Sequence, residues 1–177
     1  MRQRARAARD AAGLDPLAAG LALGGHLLAA CPPQAGAVVA GFWPLGSEID
    51  IRPLLFALHL AGHPVALPET PPLGRPLIFR VWQPGEAMVP ERFGTMRPTG
   101  AVVEPDILLV PLLAFDRTCH RLGYGGGFYD RTLAGLPHAR AIGCAFAHQA
   151  VDAVPVGPYD VALHAIATET GVILGLA

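Results

Sequence analysis

Apolar and polar residues follow two patterns along this chain, one typical of buried strands and the other of helices. Apolar-rich runs that fit strands occupy residues 36–43, 63–69, 75–82, 106–115, 139–147 and 160–168. Helical patterns occupy residues 2–12, 16–31, 48–62 and 128–134, and the second begins with Asp15 as N-cap and Pro16 in its first turn. Helices that alternate with strands in this way predict an α/β fold with a mostly parallel sheet covered on both faces.

Length and composition indicate one folded domain over residues 1–177. Hydrophobic residues make up 52 % of the chain and charged residues 15 %, which is enough apolar surface for a packed core. Residues 83–104 form a Pro- and Gly-rich connection, and no repeat or interdomain linker interrupts the pattern. The net charge is −1, so no basic excess indicates binding to nucleic acid or to an acidic membrane.

The N-terminal stretch admits two interpretations. Its basic start, the apolar run that follows and the sequence Leu-Ala-Ala-Cys ending at Cys31 imitate a secretory or lipoprotein signal. Against this, the acidic residues Asp10 and Asp15 precede the apolar run and the polar residue His26 lies within it. No run of 18 apolar residues suggests a membrane span. We therefore expect a pair of helices in a cytoplasmic protein without a membrane anchor.

Two residue types narrow the chemistry that is open to this chain. Cys31, Cys119 and Cys144 are far apart and lack the spacing of a metal site, which favours buried thiols over a disulfide or a zinc site. All 13 basic residues are arginines. Chemistry that needs a lysine is therefore excluded, and any phosphate must be bound by guanidinium or backbone N–H groups.

Residues 120–131, HRLGYGGGFYDR, carry the most specific chemistry in the sequence. Four glycines bare the backbone between a predicted strand and a predicted helix: Gly123, Gly125, Gly126 and Gly127. Such a backbone lets N–H groups converge on an anion at the helix N-terminus, where Arg121 and Arg131 would neutralise phosphate and Asp130 would hold Mg²⁺. Neither the G-x-G-x-x-G motif nor the P-loop pattern is complete, so a tight turn that only requires glycine is the alternative.

Residues 111–133, PLLAFDRTCHRLGYGGGFYDRTL, resemble the signature of the 5-formyltetrahydrofolate cyclo-ligase family, whose members are also called 5,10-methenyltetrahydrofolate synthetases. The family pattern is a strand, a proline, a Gly-or-Ala-Phe-Asp turn and then Arg-Leu-Gly-x-Gly-x-Gly-aromatic-Tyr-Asp. Residues 41–55 and 154–170 are similar to two further family segments in order and spacing. The resemblance implies a single three-layer α/β/α domain of the family's NagB/RpiA/CoA-transferase-like fold.

The resemblance also implies roles for individual residues. ATP would contact the N-terminal basic helix and the glycine loop, at Arg2, Arg121, Leu122, Gly123, Tyr124, Gly125, Gly126, Gly127, Phe128 and Tyr129. 5-Formyltetrahydrofolate would contact Trp43, Glu48, Tyr124, Gly125, Gly126, Gly127 and Phe128. Asp130 and Asp160 would be the Mg²⁺ ligands, and Arg121 would be the catalytic group that stabilises charge at the γ-phosphate.

Two of these roles also make sense from the residues alone. Trp43 offers a flat face for a pterin or aminobenzoyl ring, and Glu48 offers a charged acceptor for pterin N–H donors. Each residue also has a structural alternative, since a tryptophan at a strand end often belongs to the core. The alternative for Glu48 is a structural charge at the N-terminus of a helix.

The implied reaction converts 5-formyltetrahydrofolate and ATP, with Mg²⁺, into 5,10-methenyltetrahydrofolate, ADP and phosphate. Two alternatives stay open: a different small-molecule kinase or ligase with the same phosphate loop, and a non-catalytic nucleotide-binding module. The acidic loop around Glu48 and the nearby Trp43 favour a folate over a simple sugar, while Asp130 and Asp160 together favour catalysis over binding alone. We expect these two small molecules as partners, no nucleic acid or membrane, and a monomer or weak homodimer.

Overall fold

A mixed α/β architecture organises this computed structural model, which describes residues 1–175. The helices are α1 (Arg2–Ala11), α2 (Pro16–Ala30), α3 (Arg52–Leu60) and α4 (Phe128–Gly135). The strands are β1 (Val39–Ala40), β2 (Val65–Glu69), β3 (Ile78–Trp82), β4 (Val89–Pro90), β5 (Met96–Arg97), β6 (Val102–Val103), β7 (Ile107–Pro111), β8 (Ala114–Phe115), β9 (Arg121–Leu122), β10 (Arg140–Cys144), β11 (Ala165–Thr168) and β12 (Gly171–Leu174).

The central sheet has eight strands in the order β12-β11-β10-β7-β1-β2-β3-β6. The five strands from β11 to β2 run parallel, whereas β12 pairs antiparallel at one edge and β3 and β6 pair antiparallel at the other. Parallel strands need crossover connections, and the helices that supply them lie on the sheet faces. The parallel-sheet α/β fold predicted from the sequence is therefore confirmed, with antiparallel strands added at both edges.

Two buried clusters show the three layers. Alternate strand residues on one face pack with α2 and α3, in a cluster that includes Leu23, Leu27, Leu55, Val39, Val65, Leu109 and Ile142. Residues on the other face pack with α4, in a cluster that includes Ala66, Leu108, Val110, Ile166 and Leu133. Because successive side chains of a strand point to opposite faces, strands that are apolar at every position fit between two helical layers.

The helix starts follow the polar residues that precede them. Asp15 is the N-cap of α2, and its carboxylate accepts a hydrogen bond from the Leu17 N–H at 2.9 Å. The helix predicted from residue 48 begins only at Arg52, since the Asp50 carboxylate accepts from the Arg52 N–H at 3.0 Å and holds the preceding residues in a turn. Gly20 brings α2 onto this turn, because a Cβ there would lie 1.8 Å from the Asp50 carbonyl oxygen.

The apolar run at 106–115 is not one strand, contrary to the prediction. Strand β7 ends at Pro111, and β8 leaves the sheet to pair with β9 in a separate two-stranded hairpin. Buried Asp116 holds the hairpin turn, since its carboxylate accepts hydrogen bonds from Thr118, from the His120 N–H and from the Val154 N–H. The glycine loop therefore follows β9, and not the central strand directly.

Other predicted boundaries also move. Strand β1 is confined to Val39–Ala40, and the strand predicted over 160–168 begins at Ala165. Residues 155–162 instead form a continuously exposed segment. Strand β12 and the small β4–β5 hairpin were not predicted.

Two further expectations concern the N-terminal helices and the cysteines. Within residues 1–175, no single helix is long and apolar enough to cross a membrane, and α1 and α2 reach the required length and composition only as a pair bent by 104°. Cys31, Cys119 and Cys144 are free and buried, as the sequence predicted. Burial raises the pKa of the Cys144 thiol to about 12, which leaves it protonated.

Candidate functional site

The glycine loop lies between β9 and the N-terminus of α4. Gly125 and Gly127 have φ angles of 98° and 64°, which are left-handed conformations that favour glycine, and Gly127 is the N-cap of α4. A Cβ at Gly126 would lie 2.8 Å from the Phe128 ring. The loop thus needs its glycines for both conformation and space, and its backbone leads into the positive end of a helix dipole.

Helix α1 brings Arg2 onto this loop. The Arg2 Nε donates a hydrogen bond to the Gly123 carbonyl at 3.0 Å, across 121 residues of sequence. A Cβ at Gly125 would lie 3.4 Å from the same nitrogen. A cavity of about 400 Å³ is lined there by Met1, Arg2, Gln3, Leu122 and Pro155. Helix α1 and the glycine loop, the two elements predicted to bind ATP, are therefore in contact.

Arg121 is a buried connection between two segments of the site. Its side chain is 5 % exposed, and its guanidinium forms an ion pair with Asp130 in the first turn of α4. The Nη1 atom donates to the Val161 carbonyl at 2.7 Å. Arg121 is consequently fixed in place, and it is not a solvated loop charge.

The two predicted metal ligands lie on the segments that Arg121 joins. Asp130 contacts Arg121 through one carboxylate oxygen, Oδ1, and its side chain is 29 % exposed. Asp160 is exposed, and its Oδ2 accepts a hydrogen bond from the Gly157 N–H at 2.7 Å. Residues 1–175 contain no cluster of three or more metal-ligating side chains, so a site built from these two carboxylates would take its other ligands from phosphate and water.

Glu48 and Tyr124 are in direct contact, although 76 residues separate them in sequence. The Tyr124 hydroxyl donates to Glu48 Oε1, and the Leu45 N–H donates to Oε2 at 2.9 Å. Arg9 of α1 donates to the same hydroxyl at 2.7 Å. Glu48 is 8 % exposed and precedes α3, so it belongs to the turn before the helix and not to its first turn.

Burial sets the protonation behaviour of this contact. Burial raises the pKa of Glu48, and the opposing effects of the Tyr124 and Leu45 hydrogen bonds and of the Arg9 and Arg6 charges only partly compensate. Burial and the neighbouring Glu48 also raise the pKa of the Tyr124 phenol. Tyr124 therefore keeps its proton at neutral pH and donates a hydrogen bond. The residue as a whole is 43 % exposed.

Trp43 lies three residues after the end of β1 and packs against the core with part of its side chain. Its ring is 6.0 Å from that of Trp82 in an edge-on arrangement, and the Arg52 guanidinium lies 5.5 Å from its ring centroid. Asp50 holds Arg52 in place through two contacts at 2.8 and 2.6 Å. Trp43 is only partly buried, so its core contacts and its predicted role in substrate binding are compatible.

The remaining loop residues divide between packing and exposure. Leu122 is buried with Leu113 and Val154, so only its backbone is available to a ligand. Tyr129 packs against the buried cluster on the sheet face that α4 covers, and burial raises the pKa of its phenol. Arg131 donates to the Gly126 carbonyl and lies 5.6 Å from the Phe128 ring centroid.

Sequence reasoning missed Arg9 and Ser47. Both are joined to the site through contacts between distant segments, and nothing in the local pattern of α1 marked Arg9 among its neighbouring arginines. A second cleft, of about 630 Å³, includes Phe115, Arg117 and Thr168 in its lining but none of the predicted site residues.

Comparison with known proteins gives a consistent result. The model of the 5-formyltetrahydrofolate cyclo-ligase family matches residues 1–169. The chain is 38 % identical to an Escherichia coli (strain K12) 5-formyltetrahydrofolate cyclo-ligase over 76 % of this chain and 79 % of that protein. It is 35 % identical to the enzyme of the same name from Mycolicibacterium smegmatis, over 78 % and 77 %.

Solved structures agree with the fold. The Aquifex aeolicus 5,10-methenyltetrahydrofolate synthetase superimposes with a TM-score of 0.74 at 25 % identity, over 88 % of this chain and 80 % of that one. The Mycoplasma pneumoniae 5,10-methenyltetrahydrofolate synthetase superimposes with a TM-score of 0.75 over 95 % and 96 %, and at 22 % identity it supports the fold alone. Sequence, fold and family match together establish that this chain belongs to the 5-formyltetrahydrofolate cyclo-ligase family.

Proposed function

We propose that this chain is an ATP- and Mg²⁺-dependent enzyme that converts 5-formyltetrahydrofolate into 5,10-methenyltetrahydrofolate, ADP and phosphate. The observation that carries the proposal is the direct contact between Glu48 and Tyr124, which joins the predicted folate segment to the predicted phosphate loop. Two substrates that react with each other must be bound at adjoining positions. We further propose one catalytic domain over residues 1–177 that works as a monomer or weak homodimer.

ATP would bind with its phosphates against the glycine loop. The backbone N–H groups at the start of α4 offer hydrogen bonds to phosphate oxygens, and Arg2 adds positive charge from α1. Arg121, next to the first turn of α4, would stabilise the charge that spreads over the γ-phosphoryl group during transfer. No lysine is required in this arrangement, since backbone and guanidinium groups supply every contact.

Mg²⁺ would be held by Asp130 and Asp160 together with phosphate oxygens and water. Both side chains offer hard oxygen donors, and each engages only one of its oxygens in the hydrogen bonds described above. When bound, the ion neutralises phosphate charge and lowers the repulsion toward an attacking oxygen. A second role of Arg121 would be to hold the two segments that carry these carboxylates next to each other.

The folate would lie between Trp43 and the glycine loop. Trp43 would contact an aromatic ring of the substrate, and Glu48 would accept hydrogen bonds from pterin N–H groups. This placement presents the formyl oxygen to the γ-phosphoryl group. The protein then acts through positioning and electrostatics, with no covalent bond between enzyme and substrate.

The proposed reaction has two steps. The formyl oxygen attacks the γ-phosphorus, and the bond to the β-phosphate oxygen breaks to release ADP. The N10 amine then attacks the formyl carbon and loses its proton, and the carbon–oxygen bond breaks to release phosphate. The formyl carbon then bridges N5 and N10 as the methenyl group, which closes the new ring.

One experiment tests the proposal directly. The purified chain is mixed with 5-formyltetrahydrofolate, ATP and Mg²⁺, and the near-ultraviolet absorbance of the methenyl product is followed together with phosphate release. We expect one phosphate per methenyl group formed, and no product when ATP is omitted or when EDTA removes the metal. A folded chain that forms no product at any ATP concentration would refute the proposal.

A further inference from the structure

We propose that Arg9 of α1 is a positioning residue of the folate pocket, which holds Tyr124 against Glu48 in the arrangement that receives the substrate. The inference rests on the proposed cyclo-ligase function and adds to it a residue to which the family resemblance gave no role. Its support comes from burial, hydrogen-bond geometry and charge.

Arg9 is buried in a helix whose other residues are exposed, apart from the half-buried Ala5. It is 5 % exposed and is the only buried residue of α1. Within residues 1–175 its guanidinium has no carboxylate within 4.0 Å. A buried charge without an adjacent counter-charge is unfavourable unless its hydrogen bonds compensate for the lost water. The hydrogen-bond partners of Arg9 must therefore replace the water that its guanidinium has lost.

Those partners belong to the two halves of the site. The Nη1 atom donates to the Tyr124 hydroxyl at 2.7 Å, and the Nε atom donates to Ser47 Oγ at 3.0 Å. The Tyr124 ring lies below the guanidinium, with 5.9 Å between the Arg9 Cζ and the ring centroid. Arg9 thus connects the glycine loop to the turn that carries Glu48.

The hydrogen bonds also have a direction. Arg9 donates to the Tyr124 oxygen, so the hydroxyl hydrogen is turned toward Glu48 Oε1. Ser47 similarly accepts from Arg9 and donates to Asp10 of the same helix. Such chains strengthen each member, since each donor is polarised by the bond it accepts. Without Arg9 the Tyr124 hydroxyl would be free to rotate away from Glu48.

Charge adds a second consequence. The charged or titratable groups that act on Glu48 are Tyr124 on the glycine loop and Arg9 and Arg6 on α1, and Glu48 in turn raises the pKa of Tyr129 on α4. Arg9 and Arg6 both oppose the rise in pKa that burial imposes on Glu48. Removing Arg9 takes away one of these opposing charges, so the pKa of Glu48 should rise further and the carboxylate should be lost at a higher pH.

Three variants separate the positioning role from general stability. Arg9→Met keeps the length of the side chain and removes the guanidinium, and Arg9→Lys keeps the charge but not the two directed hydrogen bonds. Arg4→Met removes an exposed arginine of the same helix and is the matched control. Each variant is assayed for the KM of both substrates, kcat, melting temperature and the pH profile of folate kcat/KM.

For Arg9→Met we expect the folate KM to rise about tenfold, with the ATP KM unchanged and kcat within about threefold of wild type. The acid limb of the profile should move to higher pH, and ¹³C NMR of the substrate-free protein should show Glu48 titrating at higher pH as well. Arg9→Lys should raise the folate KM while leaving the acid limb in place. Arg4→Met should match wild type in every assay.

The outcomes that overturn the inference are equally specific. A lower melting temperature with unchanged folate KM would assign Arg9 a structural role, as would equal changes in both KM values. If Arg9→Met does not fold, Arg9→Lys decides, and an unchanged folate KM in that variant contradicts the inference. A wild-type chain that forms no methenyl product would refute the proposed function, whereas an unchanged Glu48 titration in Arg9→Met would refute the inference about Arg9.

Discussion

Arg121 holds Asp130 by an ion pair and the Val161 carbonyl by a 2.7 Å hydrogen bond, so one guanidinium joins the helix after the glycine loop to the segment that carries Asp160. The side chain that makes these contacts is 5 % exposed. A residue in this position affects both the chemistry of the site and its assembly. Variants of Arg121 must therefore be compared with wild type in both kcat and melting temperature.

Arg121→Ala should reduce kcat by about 10³-fold or more, since a transition-state arginine acts on the charge of the transferring phosphoryl group. It should also lower the melting temperature, because Asp130 would lose its partner. Arg121→Lys should restore the melting temperature more fully than kcat, since an ammonium can still pair with Asp130 but lacks the planar fork of donors that a guanidinium presents to phosphate oxygens. Turnover near wild type in the alanine variant would remove Arg121 from the catalytic step.

Trp43→Ala should raise the folate KM more than the ATP KM, with about 1–3 kcal/mol at stake by analogy with base–aromatic stacking. Phe56→Ala is the control, since Phe56 also contacts Trp82, at 5.3 Å, but has no proposed contact with substrate. Steady-state kinetics and thermal unfolding of both variants supply the comparison. Parallel losses for both substrates with a lower melting temperature would identify Trp43 as a core residue only.

Asp130→Asn and Asp160→Asn should each raise the Mg²⁺ concentration needed for half-maximal activity by about tenfold or more, since each removes a charged oxygen ligand. Folate binding measured by calorimetry without metal should not change. Glu104→Gln, whose side chain is 68 % exposed, is the control for loss of a surface carboxylate. If only one of the two aspartates alters the Mg²⁺ dependence, the shared metal site is wrong.

Glu48→Gln should change how stability depends on pH. The pKa of Glu48 is raised above its ordinary value of 4.5 in the folded chain, so the folded state binds this proton more tightly than the unfolded state does. The stability that this group contributes is fully present below about pH 4.5 and is lost as pH rises through the folded pKa. The melting temperature of Glu48→Gln relative to wild type should therefore increase between pH 4 and pH 7, and a constant difference would contradict the assignment.

The sequence was sufficient to predict the buried parallel strands of the sheet, but not its edge strand β12 or the contacts between its loops. Apolar runs such as 139–147 predicted strands correctly because burial on both faces leaves a local signal. The break at Pro111 was missed because the hairpin that follows it depends on Asp116 and on the distant Val154 N–H. The glycine loop was evident from its own residues and family resemblance supplied the role of Glu48, whereas Arg9 depends on a contact across 115 residues that no local pattern contains.

The exposed segment 155–162 also indicates where this chain can be divided. Its ends are fastened by the Val154 N–H on Asp116 and by the Leu163 N–H on the Cys119 carbonyl, while β11 pairs with β10 beyond it. A protease should therefore cleave here first, and the two pieces should stay associated through the sheet. A cut after Tyr159, which is 86 % exposed, would place Asp130 and Asp160 on separate polypeptides. If the two pieces are separated and mixed again, Mg²⁺ with ATP would favour their reassociation by mass action, so recovery of activity would report ligand binding.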